Sequence, residues 1–152
     1  MKARKPTRKK SGSAGRQERD VIARTLRGAM RGRFYDLINH GVYLGPEGSI
    51  TVAESSALAA VQRHARGLVR RLRRNQPLGL ELTSLRLPIP GESPESSAAL
   101  LAAWEARDWV IRIAMHLQEP ERRSRLRRCD CGDLFFATHR KTVYCPLCAR
   151  RS

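Results

Sequence analysis

All four cysteines of the chain fall between Cys129 and Cys148, arranged as Cys129-Asp130-Cys131 and Cys145-Pro146-Leu147-Cys148. Zinc takes thiolates at tetrahedral corners, and two cysteine pairs on tight turns can supply them when the intervening chain folds back on itself. Gly132 and Pro146 are the turn residues expected at such knuckles. The second pair has the usual interval of two residues, whereas the first has one. That short bite leaves two ligand sets: the preferred one of Cys129, Cys131, Cys145 and Cys148, and an alternative in which His139 replaces Cys129. Four thiolates close the coordination sphere, so the expected Zn2+ is structural. A catalytic zinc keeps a position open for water and usually draws on His, Asp or Glu ligands beside a general base. The start of the chain, Met1 to Lys10, leads into Ser and Gly and then charges, not into an apolar signal core. The expected setting is therefore a reduced, cytoplasmic one, and a metal rather than disulfides.

The second chemical signal is charge. Lys and Arg number 30 against 14 Asp and Glu, a formal +16, and a solvated surface has no structural need for so large an excess of one sign. Four thiolates and a divalent ion would lower it by only two. A polyanion is the expected partner, nucleic acid and most of all DNA, with no membrane association. The excess is segmental: residues 1–33 carry 12 basic and 2 acidic side chains, residues 63–74 carry 6 and none, and residues 121–152 carry 9 and 3. Within the last segment Arg122, Arg123, Arg125, Arg127, Arg128, Arg140, Lys141, Arg150 and Arg151 surround the cysteines and are the expected phosphate contacts. Clustered carboxylates for a two-metal site, a Ser/His/Asp set and a phosphate-cradling Gly loop are all missing from the sequence, so no enzyme is expected.

The run Cys131-Gly132, the aromatic Phe135, the basic pair Arg140-Lys141, then Tyr144-Cys145 and a final Cys148 followed by Arg resembles the zinc-finger module of bacterial proteins named for a Cys-Gly-Asn-Arg (CGNR) signature. The resemblance covers about the last 26 residues. Both cysteine pairs are more tightly spaced here, and Cys148-Ala149-Arg150-Arg151 stands where the signature would, only Arg151 matching its arginine. The resemblance implies a helical domain upstream and a role in transcription regulation.

Elements must then position these groups. Residues 1–16 hold seven Lys or Arg and little apolar surface, so they are expected to form a disordered arm that either steers nucleic acid or only solubilises the chain. Apolar residues at Ile22, Leu26, Met30, Phe34, Leu37 and Ile38 predict a helix from Gln17 to about His40, weakened by Gly28 and Gly32 and capped by Gly41. Val42–Val52 reads as a small hairpin. Thr51 and Glu54 have capping-box spacing before a helix on Leu58, Val61, Ala65, Leu68 and Leu72 that ends near Asn75. Its six arginines suit either a solvated face that complements the helix dipole or a phosphate-contacting one. Alternating leucines from Leu78 to Leu87 suggest strand or extended chain, and Ser93-Pro94 a last long helix that runs to Pro120, with Trp104 and Trp109 as core anchors and His116 as a structural residue. Phe135, Phe136, Val143 and Tyr144 are expected to form a hairpin between the cysteine pairs or to cover the metal.

The expected fold is mainly α: a helical domain over residues 17–120, and an Arg-rich linker with a small zinc-ribbon or treble-clef-like β-hairpin module over residues 121–152. The expected function is DNA binding and transcription regulation, nucleoid-associated in place, with a homodimer through the helical domain as a further partner expectation. The rival expectation is a zinc-stabilised adaptor for a protein with an acidic face.

Overall fold

A computed structural model describes residues 13–151. The expected arm lies outside the described residues except for its end, since α1 (Ser13–Arg31) begins four residues before Gln17. The predicted first helix divides at Gly32, and α2 (Arg33–His40) follows. Gly41 ends α2 in the left-handed region, φ 66°, its N–H bonded to the carbonyls of Asp36 and Leu37. A Cβ there would lie 2.7 Å from Val52 Cγ2, so both conformation and space require glycine. The predicted hairpin forms as β1 (Val42–Gly45) and β2 (Gly48–Thr51), antiparallel with Tyr43 opposite Ile50.

Helix α3 (Ser56–Arg73) starts later than the capping-box spacing suggests. Glu54 does reach back to the Thr51 N–H, at 3.1 Å, but the cap is Ser55, whose hydroxyl accepts from Leu58 N–H. Glu95, distant in sequence, adds its carboxylate to the free N–H groups of Ser56 and Ala57. Those bonds hold the Glu95 carboxyl below its ordinary value although burial opposes them. A sequence pattern cannot register such a long-range cap. The helix ends at Arg73 with Arg74 as its cap, and the chain then turns at Asn75, whose φ of 54° is one that Asn tolerates.

Residues 78–87 form no strand. Leu80–Thr83 is a single 3-10 turn, and side chains from the helices take up the segment's carbonyls: Arg107 bonds those of Leu85 and Thr83, and His64 that of Leu82. Backbone groups satisfied in this way need no partner strand. The last long helix, α4 (Ser97–His116), starts beyond Ser93-Pro94, with Ser96 as cap.

The core lies between α3 and α4. Leu58, Val61, Ala65, Leu68 and Leu72 meet Leu100, Ala103, Ala106, Ile113 and Leu117, all nearly inaccessible, and the alanines let the two helices approach closely. Trp104 and Trp109 are half-buried at the rim rather than inside. The Trp104 indole donates to Pro88 O, and Arg107 and Arg112 lie over the two rings. No helix among the described residues is long and apolar enough to cross a membrane.

After α5 (Pro120–Arg123), β3 (Leu126–Arg128) and β4 (Leu134–Phe136) pair antiparallel, and α6 (Pro146–Arg151) closes the described chain. Leu126 and Phe136 are buried in the same core as the helices. Residues 121–128, expected as a linker, thus contribute a helical turn, a strand and a core side chain. Val143 and Tyr144, expected in a strand or as a cover over the metal, lie exposed in a loop.

Candidate metal centre

The predicted hairpin is displaced from its expected place. It does not lie between the two cysteine pairs; its turn carries the first pair. Leaving β3, Cys129 accepts at its carbonyl from Gly132 N–H and donates its own N–H to Asp133 O, both at 2.8 Å. Gly132 has φ 99°, a conformation that a side chain would strain. The tight turn brings Cys129 and Cys131 to one point in spite of their single-residue spacing. Cys145 immediately precedes α6 and Cys148 lies within its first turn, where the Cys148 N–H reaches Cys145 Sγ at 3.5 Å.

The four sulfurs all lie within 4.8 Å of one another, and Cys131 Sγ to Cys145 Sγ is 3.7 Å. Tetrahedral ligands with metal–sulfur bonds of about 2.3 Å stand about 3.8 Å apart, so the spacing matches a four-thiolate site and is far too long for disulfide bonds. His139, the alternative ligand, is exposed and outside the cluster.

Electrostatics point the same way. The N–H groups of Cys145 and Cys131 lower the Cys129 thiol to about 7, and thiolate is the form that binds metal. Its neighbours then resist ionisation. The sulfurs of Cys131, Cys145 and Cys129 push Cys148 up to about 12. For Cys131 the N–H of Asp133 favours the thiolate, but burial and the adjacent Cys129 outweigh it and the net shift is upward. Four adjacent thiolates require a cation to balance them, and binding one expels the remaining protons.

The centre is fastened to the helices by residues that the sequence reading passed over. Asn39, on α2, bonds both backbone groups of Leu134: its Nδ2 donates to the carbonyl at 2.7 Å and its Oδ1 accepts from the N–H at 2.8 Å. Tyr35 donates to Asp133 Oδ2 at 2.6 Å, and His40 Nε2 lies 3.5 Å from the same oxygen. Burial, then Asp133, raises the Tyr35 phenol above its ordinary value, so it stays a donor. Its ring packs with Phe135, Ala137, Cys129 and Cys145 in a small core of the module's own. Only the spacing of Tyr35 and Asn39, one helical turn apart on one face of α2, could have hinted at this.

The nine basic residues expected to contact phosphates divide into two groups. Arg122 pairs with Glu119 at 3.1 Å and bonds His116, Arg123 reaches Gln118 O, and Arg125 and Arg127 donate to Thr138 O and Thr142 O at 2.8 and 2.7 Å. The last two tie the 137–144 loop to β3. His116 is accordingly structural, and burial and then Arg122 hold its pKa below the ordinary value. Arg128, Arg140, Lys141, Arg150 and Arg151 are exposed, and among the described residues none of their side chains has a hydrogen-bond or ion-pair partner.

Comparison of the chain with protein-family models, with curated proteins and with solved structures finds no match.

Proposed function

We propose that the chain is a nucleic-acid-binding protein, with DNA as its partner and transcription regulation as its role, in which a structural Zn2+ on Cys129, Cys131, Cys145 and Cys148 shapes a treble-clef-like module. A knuckle in a hairpin turn and a second cysteine pair at the start of a helix support that description of the module. The single observation that carries the functional reading is the set of uncommitted cations around the metal centre: Arg128, Arg140, Lys141, Arg150 and Arg151 are exposed, with no ion-pair partner among the described residues. Solvated guanidinium and ammonium groups of one sign repel each other, and a polyanion relieves that repulsion with release of its counterions. Arg122, Arg123, Arg125 and Arg127 would serve this surface mainly by holding its shape. No set of side chains suited to base edges accompanies them, so binding is expected to be nearly indifferent to sequence.

The test is affinity for two unrelated duplex oligonucleotides across a salt series. The five free cations alone supply a slope of log K on log salt of about −4 to −5, at about 0.9 per phosphate neutralised. A slope near zero, or strong preference for one sequence, would overturn the reading.

A specific observation favours a further role for the helical body in self-association. Val21, Ile22 and Met115 are more than half exposed and line, with Leu26 and Trp109, an apolar groove of about 430 Å³ between α1 and α4. If that groove joins two copies, Ile22→Lys gives a monomer by light scattering at concentrations where the native protein is dimeric.

A further inference from the structure

Helix α3 carries a second set of arginines, of which only Arg66 has a side-chain hydrogen bond. Arg66, Arg70 and Arg73 recur at helical spacing on one face, are exposed, and border a cleft of about 320 Å³ whose opposite wall is the metal hairpin, with Arg128 and Gly132. Arg73 also borders a second depression of about 260 Å³ that runs to Arg123 beside α5. The two depressions adjoin at Arg73, which lines both, and arginines of α3 and of the module border them. Arg66 uses its Nε on Ile38 O at 3.0 Å. Arg70, Arg73 and Arg128 have no side-chain partner among the described residues. The acid in the first cleft, Asp133, is occupied by Tyr35 and His40.

We infer that these depressions form one trough, the track for a nucleic-acid phosphate backbone, with α3 supplying one wall and the metal-held hairpin the other. The inference rests on the nucleic-acid reading above and names the surface that engages the strand. Three features argue for phosphates. At about 1.5 Å per residue, Arg66 to Arg73 span roughly 10 Å, enough to meet more than one successive phosphate of a single strand. A regular row of cations suits a regular row of anions better than it suits the irregular charges of an acidic protein face. The trough's cations are all arginine, whose planar fork binds phosphate through two hydrogen bonds. Metal binding enters through Arg128, which directly precedes Cys129 in the chain. Loss of the ion would free one wall and leave the α3 wall intact.

The experiment compares two double variants of the full-length, metal-loaded protein on a mixed-sequence duplex oligonucleotide. Arg70→Gln with Arg73→Gln removes two charges from the trough. Arg63→Gln with Arg74→Gln removes the same charge from α3 and its C-terminal cap, at exposed positions that border neither depression. Because none of the four side chains has a partner among the described residues, both variants should fold as the native protein does. The trough pair should flatten the salt slope by about 1.8 units, which at 0.1 M salt and unchanged affinity at 1 M is a loss of roughly sixty-fold. The control pair should lose less than a third of that slope. Equal losses in the two variants would mean that only net charge matters and would overturn the track. A native protein that binds the duplex while the trough pair binds as tightly would place the phosphates elsewhere and leave the broader function standing. Failure of the native protein to bind would instead overturn that function and the track with it. If poly-glutamate at equal charge displaces the duplex as effectively as a second duplex does, the trough fits an acidic protein segment and the phosphate assignment fails.

Discussion

Asn39→Ala tests whether the metal module and the helical body are one folding unit. The side chain makes two bonds to Leu134, at 2.7 and 2.8 Å, and a third to Tyr35 O at 3.0 Å. A neutral hydrogen bond contributes about 0.5 to 1.5 kcal/mol net, and more is lost where a buried partner is left unsatisfied. Leu134 is partly buried, so water can reach some of what alanine abandons. The Tyr35 carbonyl retains its helical position and contributes least. Two effective bonds at about 1 kcal/mol each give a loss of about 2 kcal/mol. For a chain of this length that lowers Tm by roughly 4 to 8 °C. Urea unfolding with metal bound, followed by far-ultraviolet circular dichroism, measures it. Amide exchange at Leu134 should quicken in the variant well before exchange in α3 and α4 does. A loss below about 0.5 kcal/mol with unchanged exchange would refute the reasoning, because apolar packing of Leu126 and Phe136 would then dock the hairpin without help.

Three other outcomes follow from the same contacts. Cys145→Ser should abolish stoichiometric metal binding and lower the Tm of the whole protein in one transition, because Leu126 and Phe136 lie in the helical core; two separate transitions in calorimetry would contradict this. His139→Ala should leave metal content by elemental analysis unchanged, since the histidine is outside the thiol cluster. Glu95→Gln should cost about 1 kcal/mol at neutral pH by weakening the α3 cap. The Glu95 carboxyl titrates below its unfolded value of 4.5, so its contribution is complete above that pH and is lost as pH falls through the folded value; the native and variant proteins should therefore converge in stability in acid.

Much of the helical frame could be read directly because its causes are local. The apolar spacing of α3 and the split at Gly32 follow from residues a few positions apart, as does the glycine cap at Gly41. The cysteine cluster was legible for a different reason: four thiols so close in sequence have few other uses in a reduced setting. The errors arise where a distant side chain settles a backbone's bonds. Residues 78–87 alternate like a strand, yet Arg107 and His64 hold their carbonyls. At the start of α3 the distant Glu95 adds to the local Ser55 cap, and the seat of the hairpin depends on Asn39 and Tyr35. Arginine is the hardest residue to assign from sequence, since Arg127, bound to Thr142 O, and Arg128, free in solvent, are adjacent and chemically identical.

The most direct test of a metal-shaped surface that binds nucleic acid is the affinity of the protein for one duplex oligonucleotide before and after removal of its metal by a chelator. With the ion gone, Arg128 and the cations flanking Cys145 and Cys148 lose their fixed positions, while the arginines of α3 keep theirs. Affinity should fall and the salt slope should flatten by about 2 to 4 units, and one equivalent of Zn2+ should restore both. An affinity and a slope unchanged by stripping, in a protein shown to have held one metal per chain, would contradict the account.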